Sequence, residues 1–452
     1  MIVRSDQRVT AGERVSSRVS EQRKIGFREA ASIGIGGVVG AGIFVLSGTA
    51  SARAGPAVIV AFALAFLASL SLAMCFAELS SMHEDSGGQY AYAKAHLPPI
   101  VATIVGWANM GAWISGAAFL GIGFGAHLHL VIPAIPPTLG ASVLTAIIVV
   151  LNLFGLRLSG RVQFLIMLVE VGLLSVFIAF GSTDIEARHF SPFVAHGWFG
   201  ILSAGVVGFI ALLGWDAVVV AAEEIERPQQ TIPSSIFASL SVVFLLYVGL
   251  LFVINGVLSP GQLDDTATPV ADAAAVLLGP TGRTAVNVII VVALTATVNS
   301  FVIVISRTAF VLARDGRAPS VVARCTAGGV PWVAIVFAGA SQISMTVFSN
   351  LRFAVSATGF LYTITSVGAI AALFVSRRRG AAATFRTPLY PLTPAVALVL
   401  CFLLIVGAGV TGFVVGTLWL VFGVLCAAAI RRRSGRGIGR SARPASHGPP
   451  VV

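Results

Sequence analysis

Charge is scarce in this sequence: 10% of its 452 residues are Asp, Glu, Lys or Arg, against about a quarter in an ordinary soluble protein. That scarcity excludes a soluble globular chain. With 57% hydrophobic residues, one aqueous core cannot absorb the apolar excess, and lipid must cover part of it. Cysteine is nearly missing too. Cys75, Cys325, Cys401 and Cys426 are scattered, with no Cys-x-x-Cys pair, so neither a disulfide framework nor a zinc site is indicated. His127 and His129 are two apart and fall on different helix faces, which suits a wet loop better than a metal. No Walker-type phosphate loop occurs, so ATP does not power this chain. No nucleophile–base pair or metal constellation marks an enzyme, and no cofactor is expected.

Long apolar blocks are what the sequence has instead. Residues 57–74, 141–154, 237–253, 286–305 and 394–410 reach or approach the roughly 20 residues that a spanning helix needs. We read twelve spans, near 29–53, 56–81, 100–130, 139–154, 162–181, 197–222, 234–258, 284–313, 330–349, 353–375, 393–411 and 413–430. The third and eighth are long enough to need extramembrane turns or strong tilt.

The net charge of +11 does not point to nucleic acid, because it sits at the two ends. Arg4, Arg8, Arg14, Arg18, Arg23, Lys24 and Arg28 precede the first span; Arg431, Arg432, Arg433, Arg436, Arg440 and Arg443 follow the last. Beside a membrane domain such clusters mark the cytoplasmic side and its anionic lipid. With the N-terminus inside, the inner loops hold Lys94, Arg157, Arg161, Arg227, Arg314, Arg317, Arg324, Arg377, Arg378, Arg379 and Arg386. The outer loops hold only Arg53, Arg188, Arg283 and Arg352, and the longest carries Asp264, Asp265 and Asp272. This asymmetry predicts an even number of spans with both termini cytoplasmic in a cell membrane, the bacterial inner membrane by this reading. The basic tail at 1–28 lacks the layout of a signal peptide, and 431–452 reads as a disordered basic tail.

Two spans are interrupted. The first contains Gly34, Gly36, Gly37, Gly40 and Gly42, and each interior glycine costs a helix about 1 kcal/mol against alanine. Close helix packing through Gly36 and Gly40 would explain such a run. So would a mid-membrane break whose free backbone N–H groups suit a carboxylate. The sixth span reads Gly214-Trp215-Asp216 inside an apolar run. A carboxylate there is costly and marks a functional position, and Asp216 also suits the N-cap of a restarted half-helix. Paired interruptions in the first and sixth spans point to an inverted-repeat carrier with its site at the midplane.

These residues resemble the amino acid–polyamine–organocation superfamily. Gly40-Ala41-Gly42-Ile43-Phe44 is similar to its first-span motif, and Gly87-Gly88-Gln89-Tyr90-Ala91-Tyr92 to the loop after its second span. Gly214-Trp215-Asp216 through Glu223-Glu224-Ile225-Glu226-Arg227-Pro228 resembles the bacterial cationic amino acid transporter subgroup. Ser306-Arg307 through Arg314-Asp315-Gly316-Arg317-Ala318-Pro319 continues that likeness, which covers roughly residues 25–430. The resemblance implies a leucine-transporter-type all-α membrane fold of two inverted five-helix repeats, about 29–181 and 197–375, with two further helices at about 393–430. It implies a substrate held between the unwound first and sixth spans. Backbone N–H groups of Gly40, Ala41, Gly42 and Ile43 would meet the amino acid's carboxylate, and carbonyls of Val38, Ile210 and Leu213 its amino group. Glu170, in the fifth span, falls where many proton-coupled relatives carry a lysine. The reversed charge makes it a candidate proton carrier, a cation ligand or a neutral packing residue, with Thr297, Asn299 and Ser300 of the eighth span as candidate partners.

A secondary amino acid transporter is the reading that follows, with a proton, less favourably sodium, as coupling ion. Apolar walls at Ile210, Ala211, Leu212, Leu213 and Trp215 favour neutral substrates; Asp216 or Glu170 facing the pocket would favour cationic ones. An exchanger, a polyamine carrier, a channel and a transporter-like nutrient sensor are the alternatives. Glu78 is expected to pair with a base, and Arg307 to approach the inner surface or pair with one of the acids after the sixth span.

Overall fold

The computed structural model describes residues 25–40, 42–83, 88–154, 160–266 and 268–441. Ala41, Gly87, Arg157, the basic residues from Arg4 to Lys24, and Arg443 lie outside the described residues. Among those described the chain is helical, apart from one isolated bridge between Ile25 and Ile225.

The first apolar run is two helices, α1 (Phe27–Val39) and α2 (Gly42–Ala54). A short 3₁₀ turn at Gly55–Ala57 leads to α3 (Val58–Ser80), and a short loop helix, α4 (Gln89–His96), follows. Next come α5 (Pro99–Val131), α6 (Pro137–Leu153) and α7 (Gly160–Gly181). The sixth run is again divided, into α8 (Gly197–Ala211) and the single turn α9 (Ala217–Val220). Then follow α10 (Pro228–Val257), α11 (Pro260–Asp265), α12 (Pro269–Arg314), α13 (Trp332–Phe348), α14 (Leu351–Arg378) and α15 (Leu392–Ser441). Proline at the first helical turn sets φ for α5, α6, α10, α11 and α12 at positions whose N–H would be unpaired in any case.

Seven described segments are long and apolar enough to cross a bilayer, and three more apolar helices are shorter. The chain is a multi-pass membrane protein. At about 1.5 Å per residue, the 46 residues of α12 and the 41 of Leu392–Arg432 exceed the roughly 30 Å hydrocarbon layer twofold. Both bend at a left-handed glycine, Gly279 (φ +68°, followed by Pro280) and Gly409 (φ +61°), where a helix of L-residues cannot continue. By contrast α5 is one unbroken 33-residue helix, long enough to span with tilt and to project beyond the hydrocarbon layer. His127 is therefore helical rather than in a loop: it is buried on α5, with Nδ1 2.8 Å from Asn287 Oδ1 of α12. Beyond Gly409 the second limb of α15 runs to Ser441.

Helix α5 is the centre of the packing, against α12, α14 and α6. Helices α7 and α15 lie outside, with Leu165, Val176, Val399 and Phe402 more than half exposed, as a lipid-facing surface requires. The expected Glu78 pair forms. Arg377 donates Nε and Nη2 to the two Glu78 oxygens at 2.8 and 2.7 Å, and Thr387 N–H adds a third bond at 2.7 Å. This buried pair ties α3 to α14 and to the segment entering α15. The Arg307 pair forms as well, with Glu224 Oε1 at 2.6 Å. Beside it Ile25 exchanges backbone bonds with Glu224 and Glu226 at 3.1 and 2.9 Å, so the entrance to α1 is zipped to the segment after α9.

Candidate functional site

The glycines of the two interruptions bring backbone against backbone. A side chain on Gly37 would meet Gly214 O at 2.6 Å; one on Gly214 would overlap Gly37 O, and one on Gly42 would overlap the Ala211 backbone. Gly214 also has φ +116°, which L side chains rarely adopt. The run Leu212–Asp216 is a series of turns rather than helix. Glycine here serves the contact between the two breaks and the turn conformation together.

One side chain joins the breaks. Tyr247, fully buried on α10, donates its hydroxyl to Val38 O at 2.6 Å and lies 3.4 Å from Ala211 O. From α12, Thr297 donates to Gly36 O at 2.9 Å. Both bonds go to the last turn of α1, where carbonyls lose their helical partners.

A small cavity opens on the second break. Leu213, Gly214 and Asp216 form one wall, and Ala112, Trp113, Gly116 and Phe119 of α5 another. Phe301 of α12 and Thr358 and Tyr362 of α14 complete it. Trp113 and Phe301 meet edge to face at 4.7 Å, and Trp113 Nε1 is fixed by Asn109 Oδ1 at 2.9 Å. The walls are thus mostly apolar or aromatic, with Asp216, Tyr362 and the Thr358 hydroxyl, bonded to Ala354 O, as polar groups.

Asp216 does stand at the N-cap position of α9, but its side chain makes no capping bond. It turns to Gln89 of α4, whose Nε2 donates to Oδ2 at 2.5 Å. The capping expectation therefore fails for a tertiary reason: a side-chain amide takes the carboxylate away from the backbone.

Of the residues singled out in the sequence, Leu213 and Asp216 line the cavity. Val38, Gly40, Gly42, Ile43 and Ile210 sit at the breaks, buried and outside the cavity wall. The Val38 carbonyl is taken by Tyr247, and Ile210 O accepts Leu213 N–H at 3.2 Å. Ala41 is outside the described residues. Glu170 is 4% exposed on α7, and neither oxygen has a hydrogen-bond partner among the described residues. The three eighth-span candidates are engaged elsewhere: Thr297 with Gly36 O, Asn299 with Asn152 and Ser300 with Ala296 O. Tyr247 is instead the group within electrostatic reach of Glu170.

Tyr247, Gln89, Tyr362, Trp113 and Phe301 are site residues that the sequence reading passes over. A signal existed for the tyrosines. The chain has only five, and Tyr247 and Tyr362 interrupt otherwise apolar spans. A phenol buried at such a place needs a partner.

Two interrupted membrane helices packed break against break, the second lining a largely apolar cavity, mark a membrane transporter, and the family match agrees. The chain belongs to the amino acid permease family, which it matches over residues 25–430. It is 27% identical to the "Branched-chain amino acid permease BcaP" of Bacillus subtilis, over 92% of this chain and 93% of that protein. It is 28% identical to the methylthioribose transporter of Bacillus subtilis, over 87% and 90% of the two chains. Similarity to "Cationic amino acid transporter 9, chloroplastic" of Arabidopsis thaliana is 30% over 69% of this chain and 58% of that one.

Proposed function

We propose that this protein is a secondary carrier that takes up neutral amino acids by alternating access, driven by a proton. The observation that carries the reading is the cavity on the second break, walled by Trp113, Phe119, Leu213 and Phe301, with no Lys or Arg in its lining. Apolar and aromatic walls favour apolar side chains, since burying a charge against them is costly. The branched-chain permease among its relatives fits that substrate class.

Leaving out the short α4 and α11, joining α1 with α2 and α8 with α9, keeping α12 as one and counting the two limbs of α15 separately, we read twelve spans. They group as two five-span repeats, 29–181 and 197–375, with two further helices. Ile25, Arg307 and Arg377 mark the cytoplasmic face, with both termini on it, and the membrane is the cell membrane. In the open form the backbone N–H groups of Gly40, Ala41, Gly42 and Ile43 receive the carboxylate, and the carbonyls of Val38, Ile210 and Leu213 the ammonium. Glu170 carries the proton. A second reading, basic amino acids, has one supporting observation: the Asp216 carboxylate lines the cavity.

Radiolabelled uptake into proteoliposomes, with imposed gradients and competition by each of the common amino acids, tests this. Leucine, isoleucine, valine or alanine should compete, and an inside-alkaline gradient should concentrate substrate. Competition by arginine and lysine alone would overturn the neutral assignment. Accumulation that follows a sodium gradient and ignores pH would overturn the proton.

A further inference from the structure

The loop motif after the second span has no part in the scheme so far, yet its described residues are tightly placed. Gly88 turns the chain at φ +54°, and a side chain there would meet Val220 of α9 at 3.2 Å. Gln89, wholly buried, donates to Asp216 Oδ2. Tyr90 and Lys94 both bind Asp315 Oδ2, at 3.0 and 2.7 Å, just past the end of α12. Helix α4 thereby holds the second break on one side and the end of α12 on the other.

The Asp216 carboxylate has no exposed surface. Gln89, Tyr362 and the backbone at Gly214 and Asp216 are the groups that act on it, and Tyr92 of α4 is the other titratable side chain facing it. Oδ1 has no hydrogen-bond partner among the described residues, and neither has the Tyr362 hydroxyl. Both residues line the cavity, opposite Ala112, Gly116 and Phe119. A buried acceptor without a partner is costly, and a ligand that brings an N–H removes that cost. The cavity therefore has one polar pole and an apolar body.

We propose that Asp216 is this polar pole, its Oδ1 accepting an N–H of the bound amino acid, and that Gln89 is the positioning residue that turns Oδ1 inward. The assignment rests on the transport reading above. The N–H comes from the substrate's α-ammonium or from its side chain, and the two sources give different patterns.

The test uses wild type, Asp216→Asn, Gln89→Ala and the double variant Gln89→Glu/Asp216→Asn, each full-length in proteoliposomes. Two readouts are taken: KM and maximal rate for a panel of L-amino acids, and amide hydrogen exchange of residues 89–96 without substrate. Asp216→Asn should raise KM about 10-fold or more, the usual weight of a hydrogen bond to a charged group. A rise across all substrates identifies the α-ammonium; a rise confined to side chains with N–H groups identifies those. Gln89→Ala should raise KM more than it changes maximal rate, and should speed exchange in α4. The double variant rebuilds an amide–carboxyl pair with the roles exchanged. It should restore slow exchange and leave KM raised, which a merely structural contact would not do. Asp216→Asn with every KM within about twofold of wild type overturns the polar pole. Unchanged exchange in Gln89→Ala overturns the positioning role. If wild type takes up no amino acid, the transport reading fails, while exchange in α4 still tests the Gln89–Asp216 tie.

Discussion

Tyr247 and Val38 are joined by a 2.6 Å hydrogen bond, and the same hydroxyl stands 3.4 Å from Ala211 O. One phenol on α10 thus spans the ends of α1 and α8, the half-helices that stop at the two breaks. The ring is held independently by edge contact with Phe62, at 6.2 Å. Tyr247→Phe should keep that packing and lose only the polar link. A net loss of about 0.5–1.5 kcal/mol in stability is expected, plus the cost of a less satisfied Val38 carbonyl. Uptake should fall several-fold while expression and membrane insertion stay normal. A thermal unfolding curve and an uptake assay on one preparation check both parts; an unchanged transport rate would reduce Tyr247 to a packing residue.

The glycines at the contact between the breaks give a sharper outcome. Gly42→Val places a branched side chain on the Ala211 backbone, and Gly214→Ala adds a left-handed φ to the overlap with Gly37. Overpacking costs about 1–3 kcal/mol when neighbours can yield, and backbone yields less than side chains. Both variants should insert normally, yet lose substrate affinity by more than about 10-fold, or 1.4 kcal/mol. Binding of radiolabelled leucine to purified protein measures this. Wild-type affinity in Gly42→Val would count decisively against a backbone site there.

How far the site could be read in advance depends on residue and neighbour. The glycine density around Gly40 and the lone carboxylate at Asp216 mark real interruptions, because glycine and buried charge are costly in a membrane helix wherever they occur. The partners of Glu78 and Arg307 follow from placing charges on one face. Helix phase is what an evenly apolar span hides. Nothing local tells that Thr297 faces Gly36 while Asn299 faces Asn152, so the partner of Glu170 could not be chosen. The direction of the Asp216 carboxylate is likewise decided by Gln89, 127 residues away in the chain.

A pH effect outside the spans is expected at His96, the last residue of α4. Its Nε2 lies 2.9 Å from His83 Nε2, a bond that needs at least one neutral ring. Burial, then His83, then Arg379 hold the His96 pKa below its ordinary value. The folded state then binds fewer protons than the unfolded chain, and stability rises with pH. This contribution is present above the unfolded value of about 6.5 and is lost as pH falls through the lower folded value. The protection of the amides of residues 89–96, with the base-catalysed intrinsic exchange rate divided out, should fall between about pH 7 and pH 5, and His96→Gln should flatten that dependence. Equal pH dependence in the variant would assign the effect to another group.

The last prediction concerns Glu170. It is buried in α7, a helix that packs on α1 and α10, with neither oxygen bonded among the described residues and Tyr247 in electrostatic reach. An ionised carboxylate with no partner in that position would cost several kcal/mol, so the closed state should hold it as the neutral acid. Ionisation then requires water or a cation to reach it, which requires α1 to move away from α7. On the proposed proton coupling, proton release and opening at α1 would be one event, and a gradient of protons would bias the inward against the outward state. Tyr247, within electrostatic reach of Glu170, bonds the Val38 carbonyl at the first break, where the proposed substrate site begins. Glu170→Gln keeps the shape of the neutral acid and cannot titrate. It should abolish uphill uptake driven by a pH gradient, by a factor of ten or more, on the order of 1.4 kcal/mol. Exchange of internal for external amino acid needs no net proton movement and should survive at a comparable rate. Both assays belong in one proteoliposome preparation. A Glu170→Gln protein that still concentrates substrate against a gradient, with wild-type pH dependence, would leave Glu170 a packing residue and move the proton elsewhere.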